Sequence, residues 1–152
     1  ESGFTTSIFG NMYDELFSSK NPDNISVTPK FPDVFEVLEA IHESGGIAVL
    51  AHPGFYGSFE LLDELIEAGL DGVEVWHPDN SPEETEKLIE IAKKNNLLMT
   101  GGSDFHGLYN SRITKIGSYS TPDENLTELL NYKAKKKRQQ KKNNASSTTK
   151  KD

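Results

Sequence analysis

The sequence predicts an α/β fold built from parallel βα units. Short, mainly apolar runs occur at residues 47–51, 72–76 and 97–100, and the first of them is continuous, as is typical of a strand buried on both faces. An amphipathic segment with helical spacing of its apolar residues precedes each run, and the strands recur about every 25 residues. Regular alternation of this kind favours a parallel sheet with crossover helices.

The first helix of the regular part is predicted over residues 33–46. Asp33 suits its N-cap, Glu36 stands at N3 as in a capping box, and a glycine pair ends it. Residues 1–32 form an irregular lead-in, because prolines and glycines interrupt their short apolar patches. Only the stretch "NMYDELFSS" within the lead-in is compatible with a short helix.

Two further helices are predicted between the apolar runs. Residues 58–69 carry an apolar stripe and end at Gly69. Residues 81–96 begin with Ser81 as N-cap, a proline at N1 and Glu84 at N3, which again match a capping box.

The last elements are a fourth strand and a final helix. The stretch "KIGSYS" at 115–120 is interpreted as the strand, and the helix begins at Pro122. Domain organisation is therefore interpreted as a lead-in over 1–32, a folded part over 33–132 and a tail over 133–152.

Composition limits the kinds of site that the chain can hold. There is no cysteine among the 152 residues, so a metal would be held by His, Asp or Glu. No apolar run approaches the ~18 residues of a membrane span. Residues 1–30 lack the pattern of a signal peptide, so no membrane contact and a cytoplasmic location are the default expectations.

The net charge of −8 hides an asymmetry along the chain. Residues 133–152 hold nine cations and one acid, whereas residues 1–132 hold seven cations and 23 acids. The Lys-rich tail is poor in apolar residues and is predicted to be disordered. It is either a solvated tail or a tether that contacts nucleic acid.

Chemically active side chains follow each of the three predicted strands. His52 comes after the first apolar run, His77 after the second, and Asp104 and His106 after the third and a short glycine turn. Because the carboxyl ends of parallel strands meet at one edge of a sheet, these groups are expected to lie close together. Carboxylate and imidazole ligands suit Mn, Fe or Zn.

Local sequence supports this placement. A proline follows both His52 and His77, and proline favours an extended conformation in the residue before it. The Asp-x-His spacing places Asp104 and His106 on one side of an extended segment.

Structural explanations remain open for each of these residues. A histidine before proline can simply belong to a turn, and the "GSDFHG" stretch can be the N-cap of a helix. His42 lies beside the apolar stripe of its helix and is interpreted as structural or exposed. Glu74 lies within a strand and needs a partner, so it either supports the site or points into a barrel.

Three stretches resemble the C-terminal half of the PHP (polymerase and histidinol phosphatase) family, in its small phosphoesterase branch. They are "GGIAVLAHPG" at 45–54, the segment 65–107 that ends in "GGSDFHG", and "IG" at 116–117. The resemblance covers residues 33–117. It implies a distorted (β/α)7 TIM-like barrel with a bi- or trinuclear metal centre at the carboxyl ends of its strands.

The resemblance also implies roles for individual residues. His52, Asp104 and His106 match metal ligands, and His77 lies where a catalytic and substrate-binding group is expected. The implied reaction is hydrolysis of phosphate esters, either of a phosphorylated small molecule or of a nucleic-acid end. Arg112 is a candidate for contact with the substrate phosphate.

The sequence also departs from the family pattern. No His-x-His element stands before residue 33, and a barrel of this type needs on the order of 200 residues. The barrel is thus expected to be incomplete and these residues alone to have little activity. Two alternatives stay open: a non-catalytic PHP module with a basic tail that binds nucleic acid, and a TIM-like metal-dependent hydrolase of C–N bonds.

Overall fold

A three-stranded parallel sheet organises the protein. The computed structural model describes residues 10–107 and 114–132. Its elements are, in chain order, α1 (Asn11–Leu16), α2 (Val34–Glu43), β1 (Val49–Leu50), α3 (Phe59–Glu67), β2 (Gly72–Trp76), α4 (Pro82–Asn95), β3 (Leu98–Gly101) and α5 (residues 123–132). The strands lie in the order β1-β2-β3 and both pairs are parallel, which confirms the predicted α/β class.

The starts of the helices follow the predicted capping residues. At α4 the Ser81 side chain accepts from the N–H of Glu84, and the Glu84 carboxylate accepts from the N–H of Ser81, so the predicted capping box is present. At α2 the Asp33 side chain accepts from the N–H of Phe35 at 2.9 Å, one position earlier than a capping box requires.

The hydrophobic core lies between the sheet and helices α3 and α4. Its most buried side chains come from α3, β2 and α4, namely Leu62, Leu65, Val73, Val75, Leu88 and Ala92. Val73 and Val75 point to this core from one face of β2, because residues two apart on a strand share a face. Glu74 lies on the opposite face, half-buried.

The predicted fourth strand at 115–120 is wrong. Only Ser120 pairs with the sheet, through an isolated antiparallel bridge to Gly102. The chain turns before it, where the N–H of Ser118 bonds the carbonyl of Lys115 and Gly117 has φ +81°. A turn with positive φ in the middle of the segment prevents a strand from continuing.

The first strand is shorter than the predicted 47–51. β1 pairs with β2 only over Val49–Leu50, and the chain leaves the sheet before His52, whose φ is +30°. Within the described ranges, no helix is both long and apolar enough to cross a membrane. Residues 108–113 and 133–152, which include Arg112 and the Lys-rich tail, lie outside the described residues. The division at residues 33 and 133 stays a prediction.

Candidate metal centre

The predicted site residues that the structure describes follow the carboxyl ends of the strands. His52 comes two residues after β1, His77 directly after β2, and Asp104 three residues after β3. His77 connects the other two, since its ring centre is 5.1 Å from that of His52 and its Nε2 is 3.4 Å from Oδ2 of Asp104. His106 also joins the group, with Nε2 3.1 Å from Oδ1 of Asp104.

His77 is the most buried of these side chains, with 1% of it exposed. Its Nδ1 accepts the backbone N–H of Asp79 at 3.1 Å. The neutral ring therefore carries its proton on Nε2. No hydrogen-bond partner is present for Nε2 among the described residues, although the atom is buried. A buried donor of this kind is costly unless an acceptor is supplied, and Oδ2 of Asp104 is the anionic group beside it, at 3.4 Å.

Three ligand-bearing side chains converge around this point. One nitrogen of His77 and one oxygen each of Asp79 and Asp104 lie within 4.8 Å of one another. Asp79 was not singled out from the sequence, although its position two residues after a strand-end histidine was the signal available. The tautomer of His77 favours a donor role for this histidine and leaves the two carboxylates as oxygen ligands.

Asp104 occupies a turned stretch of backbone rather than the expected extended one. Its φ is +46°, a value uncommon for residues other than glycine, asparagine and aspartate. The expected proximity to His106 is nevertheless present, because the turn brings the two side chains together. Their side chains are 37% and 61% exposed, so both remain accessible to a ligand from solvent.

The loop that carries Asp104 is fixed by Ser103. The Ser103 hydroxyl accepts the N–H groups of Gly117 and Tyr119 at 2.9 and 3.1 Å, and donates to the carbonyl of Tyr119 at 3.1 Å. The Thr121 hydroxyl accepts the N–H of Gly101 at 3.0 Å, just before the loop. Sequence reasoning missed both hydroxyl residues, because their partners are 14 to 20 residues away along the chain.

His52 is also held in an unusual backbone conformation. Its φ of +30° contradicts the expected effect of Pro53, which was to keep it extended. The Glu74 carboxylate accepts the N–H of His52 at 2.9 Å and stabilises this conformation. Strained non-glycine residues concentrate at functional sites, where surrounding contacts determine their geometry. Glu74 thus supports the site from the middle of the sheet.

Two further buried side-chain atoms have no hydrogen-bond partner among the described residues. They are Nδ1 of His52 and Oδ1 of Asn80. Asn80 is held by its Nδ2, which donates to the carbonyl of Val75 at 2.8 Å. The carboxylates of Asp79 and Asp104 and the imidazole of His106 offer the oxygen and nitrogen donors that a divalent transition metal prefers, so these residues fit such an ion.

Known proteins resemble this chain over part of their length. A phosphoribosyl 1,2-cyclic phosphate 1,2-diphosphodiesterase of Eggerthella lenta is 35% identical over 114 residues, which make up 75% of this chain and 42% of that protein. The 5'-3' exoribonuclease Rnm of Escherichia coli is 39% identical over 85 residues, 53% of this chain and 29% of that protein. No protein-family model matches the sequence.

A solved structure shares the fold of the described part. It comes from Bifidobacterium adolescentis and is described as a candidate metal-dependent phosphoesterase. The TM-score is 0.63 at 39% identity, and the match covers 74% of this chain and 40% of that one. The chain thus spans about two fifths of the length of the Eggerthella lenta protein and of the solved structure, and 29% of the length of the exoribonuclease.

Proposed function

We propose that this chain is part of a metal-dependent phosphoesterase of the PHP type, which hydrolyses nucleotides or RNA ends. The observation that carries the proposal is the buried Nε2 of His77, which lacks a partner among the described residues and faces Asp104 at 3.4 Å. The Nε2–H of His77 can donate to an anionic substrate, and the adjacent Asp104 carboxylate can bind a cation that offsets the charge of that substrate. The similarity to named phosphodiesterases and exoribonucleases supports the same chemistry.

We assign the metal ligands to Asp104 and His106, whose Oδ1 and Nε2 lie 3.1 Å apart, with Asp79 as a further oxygen donor close to Asp104. His52, whose ring centre is 5.1 Å from that of His77, is proposed as a further ligand on the resemblance alone. A divalent ion bound there, whether Mn, Fe or Zn, would lower the pKa of a water molecule and offset the negative charge of the phosphate. Glu74 and Ser103 hold the backbone of the ligand-bearing segments in place.

His77 acts directly on the substrate. Its Nε2–H donates a hydrogen bond to a phosphoryl oxygen and stabilises the charge that develops there as the ester bond breaks. The bond from Asp79 N–H to Nδ1 keeps the ring in the tautomer that this role requires. Arg112 stays a second candidate for contact with the phosphate.

Substitution of Asp104 tests the proposal in the complete protein that carries this sequence. With Mn²⁺ present, we expect release of phosphate from 5'-AMP and p-nitrophenyl phosphate, and loss of this activity on addition of EDTA. Asp104→Asn removes a charged ligand and is expected to lower the rate by about 100-fold or more. Asp63→Asn, which changes an exposed aspartate of α3, is the matched control and is expected to leave the rate unchanged.

The outcomes separate the proposal from its alternatives. More than a tenth of the activity remaining in Asp104→Asn would contradict the assignment of the site. Metal-dependent hydrolysis of amides without hydrolysis of phosphate esters would support a C–N hydrolase. RNA binding without turnover, lost when residues 133–152 are deleted, would support a non-catalytic module with a basic tether.

A further inference from the structure

Two exposed aromatic rings stand beside the candidate metal centre. Phe55 and Tyr56 follow His52 in the chain and are 57% and 71% exposed. Their rings contact each other in a T-shaped arrangement with centroids 4.7 Å apart. Both also lie against the His52 ring, at 5.9 and 5.4 Å. They therefore form one surface with the histidine, and the proposed mechanism leaves the two aromatic rings unused.

The backbone under the two rings is fixed by a series of turns. The N–H of Phe55 bonds the carbonyl of His52, the N–H of Gly57 bonds that of Gly54, and the N–H of Ser58 bonds that of Pro53, at 2.9 to 3.2 Å. Pro53 is fully buried and anchors the segment. An ordered loop thus presents the rings to solvent. Binding of a stacking ligand does not carry the entropic cost of ordering this loop.

Close packing at Gly54 holds this loop against the rest of the site. A Cβ atom at this glycine would lie 2.3 Å from Oδ1 of Asn80, so the backbone approaches the asparagine as only glycine allows. The aromatic pair is consequently tied to the same residues that surround His77.

We propose that Phe55 and Tyr56 form a stacking platform for the base of a nucleotide whose phosphate binds at His77 and Asp104. The inference rests on the proposed function and adds the part of the substrate next to the phosphate. Exposed aromatic faces bind bases without sequence preference, because every base has a π-face. The ring contacts from Tyr56 through His52 to His77 lead from the platform to the reacting group.

Comparison of two substrates tests the platform in the complete protein with Mn²⁺. 5'-AMP and ribose 5-phosphate carry the same phosphate ester and differ in the base. In the double variant Phe55→Leu/Tyr56→Leu, we expect kcat/KM for AMP to fall by about 10-fold or more through KM. For ribose 5-phosphate, kcat/KM of the double variant should stay close to the wild-type value, so the preference for AMP over ribose 5-phosphate should fall by about 10-fold. Tyr56→Trp, which keeps a π-face, should retain the preference for AMP.

Phe31→Ala is the control for loss of an exposed aromatic ring elsewhere, because Phe31 is 76% exposed in the segment before α2. Leucine at positions 55 and 56 keeps the apolar cover of His52, and circular dichroism verifies that each variant folds. If the double variant lowers kcat/KM equally for both substrates, the rings only position His52 and the platform is ruled out.

A binding experiment makes the result independent of turnover. The H2 and H8 proton signals of adenosine should shift upfield when the wild-type protein is added, and this shift should be absent with the double variant. Adenosine shifts without hydrolysis of either phosphate would retain the platform and contradict the phosphoesterase proposal. Hydrolysis of both substrates without any shift of the adenosine signals would retain the phosphoesterase proposal and contradict the platform.

Discussion

At the scale of single residues, His77 is the group whose role the local hydrogen bonds decide. Its proximity to Asp79 and Asp104 would also suit a metal ligand. Metal binding through Nε2 requires the proton on Nδ1, where it would face the backbone N–H of Asp79 at 3.1 Å. Two donors pointing at each other repel, so the structure favours the tautomer with the proton on Nε2, in which His77 is a hydrogen-bond donor.

Replacement of His77 distinguishes these roles. In His77→Ala we expect kcat for p-nitrophenyl phosphate to fall by about 10²- to 10³-fold, since a positioned hydrogen-bond donor to the phosphoryl group is lost. The affinity for Mn²⁺ should be nearly unchanged, measured by quenching of Trp76, the single tryptophan of the chain. His77→Gln, which keeps a donor, should retain part of the activity.

His42→Gln provides the matched control, because this histidine contacts Asp71 before β2 rather than the site. Its kcat and Mn²⁺ affinity should equal those of wild type. A tenfold or greater loss of Mn²⁺ affinity in His77→Ala would instead identify His77 as a ligand.

The sequence predicted the positions of these residues but not their conformations. The rule that strand ends share one edge correctly brought His77, Asp104 and His106 together. The positive φ of His52 and of Asp104 could not be predicted, because contacts with Glu74 and the turn around Asp104 determine it rather than the neighbouring residue types. His42, expected to be structural or exposed, is bonded to Asp71.

At the scale of elements, the loop at 102–107 depends on the segment at 115–121. Ser103 connects the two through hydrogen bonds to Gly117 and Tyr119, and Ser120 forms a bridge to Gly102. The segment that was expected to add a strand thus supports the loop that carries Asp104. Its role in the site is positioning rather than extension of the sheet.

Removal of the Ser103 hydroxyl tests this support. Ser103→Ala loses three hydrogen bonds in a half-buried place, so the free energy of unfolding should fall by about 1–2 kcal/mol. The affinity for Mn²⁺ should fall by about 10-fold or more, because the ligand Asp104 is no longer positioned. Trp76 quenching and urea unfolding measure the two effects.

Ser118→Ala is the matched control within the same segment. The Ser118 hydroxyl donates to the carbonyl of Lys115, so its loss should cost stability without affecting Mn²⁺ affinity. Equal Mn²⁺ affinity in Ser103→Ala and wild type would show that the loop at 102–107 keeps its conformation without the hydrogen bonds of the Ser103 hydroxyl.

Helices were predicted more accurately than strands for a physical reason. The caps of α2 and α4 are local, since each involves residues two or three positions apart. Strand pairing joins residues far apart in the chain, such as Ser120 and Gly102, and no local pattern specifies the partner. The hydroxyl contacts of Ser103 were missed for the same reason.

At the scale of the whole molecule, the described residues form an open sheet. β1 and β3 each pair only with β2 among the strands of the described ranges, so the expected barrel stays a prediction for the complete protein. The similarity to a solved structure of which this chain covers 40% is consistent with part of a larger fold. What holds distant elements together within the described part is a buried network around Asp71.

Asp71 is 2% exposed and lies just before β2. Its carboxylate accepts the N–H of Ala48 at 2.9 Å and the hydroxyl of Tyr132 at 2.8 Å, and His42 Nε2 lies 2.8 Å away. One side chain therefore connects α2, the start of β1 and α5. Burial, the hydrogen bond to Asp71 and the charge of Asp71 raise the pKa of Tyr132 to about 12.

This raised pKa predicts how the stability contributed by Tyr132 depends on pH. Below pH 10 the tyrosine is neutral in both states, and Tyr132→Phe should lower the free energy of unfolding by about 1–2 kcal/mol, because a buried carboxylate loses a donor. Between pH 10 and about 12 the unfolded tyrosine ionises while the folded one stays neutral. The folded state then binds more protons than the unfolded state, so the wild type loses stability as pH rises. The difference in the free energy of unfolding between wild type and Tyr132→Phe, here called the gap, therefore narrows.

Urea unfolding of wild type and Tyr132→Phe at pH 8, 10 and 11 measures this gap. The contributions of the other titrating groups to the free energy of unfolding largely cancel in the difference, because both proteins contain them. Asp71→Asn removes a charge that contributes to the raised pKa of Tyr132. The difference in the free energy of unfolding between Asp71→Asn and Asp71→Asn/Tyr132→Phe should therefore narrow less, over the same pH range, than the difference between wild type and Tyr132→Phe. A gap between wild type and Tyr132→Phe that stays constant from pH 8 to 11 would mean that the Tyr132 hydroxyl is not bonded to Asp71 in solution. The connection from α5 to the centre of the sheet would then depend on apolar contacts alone.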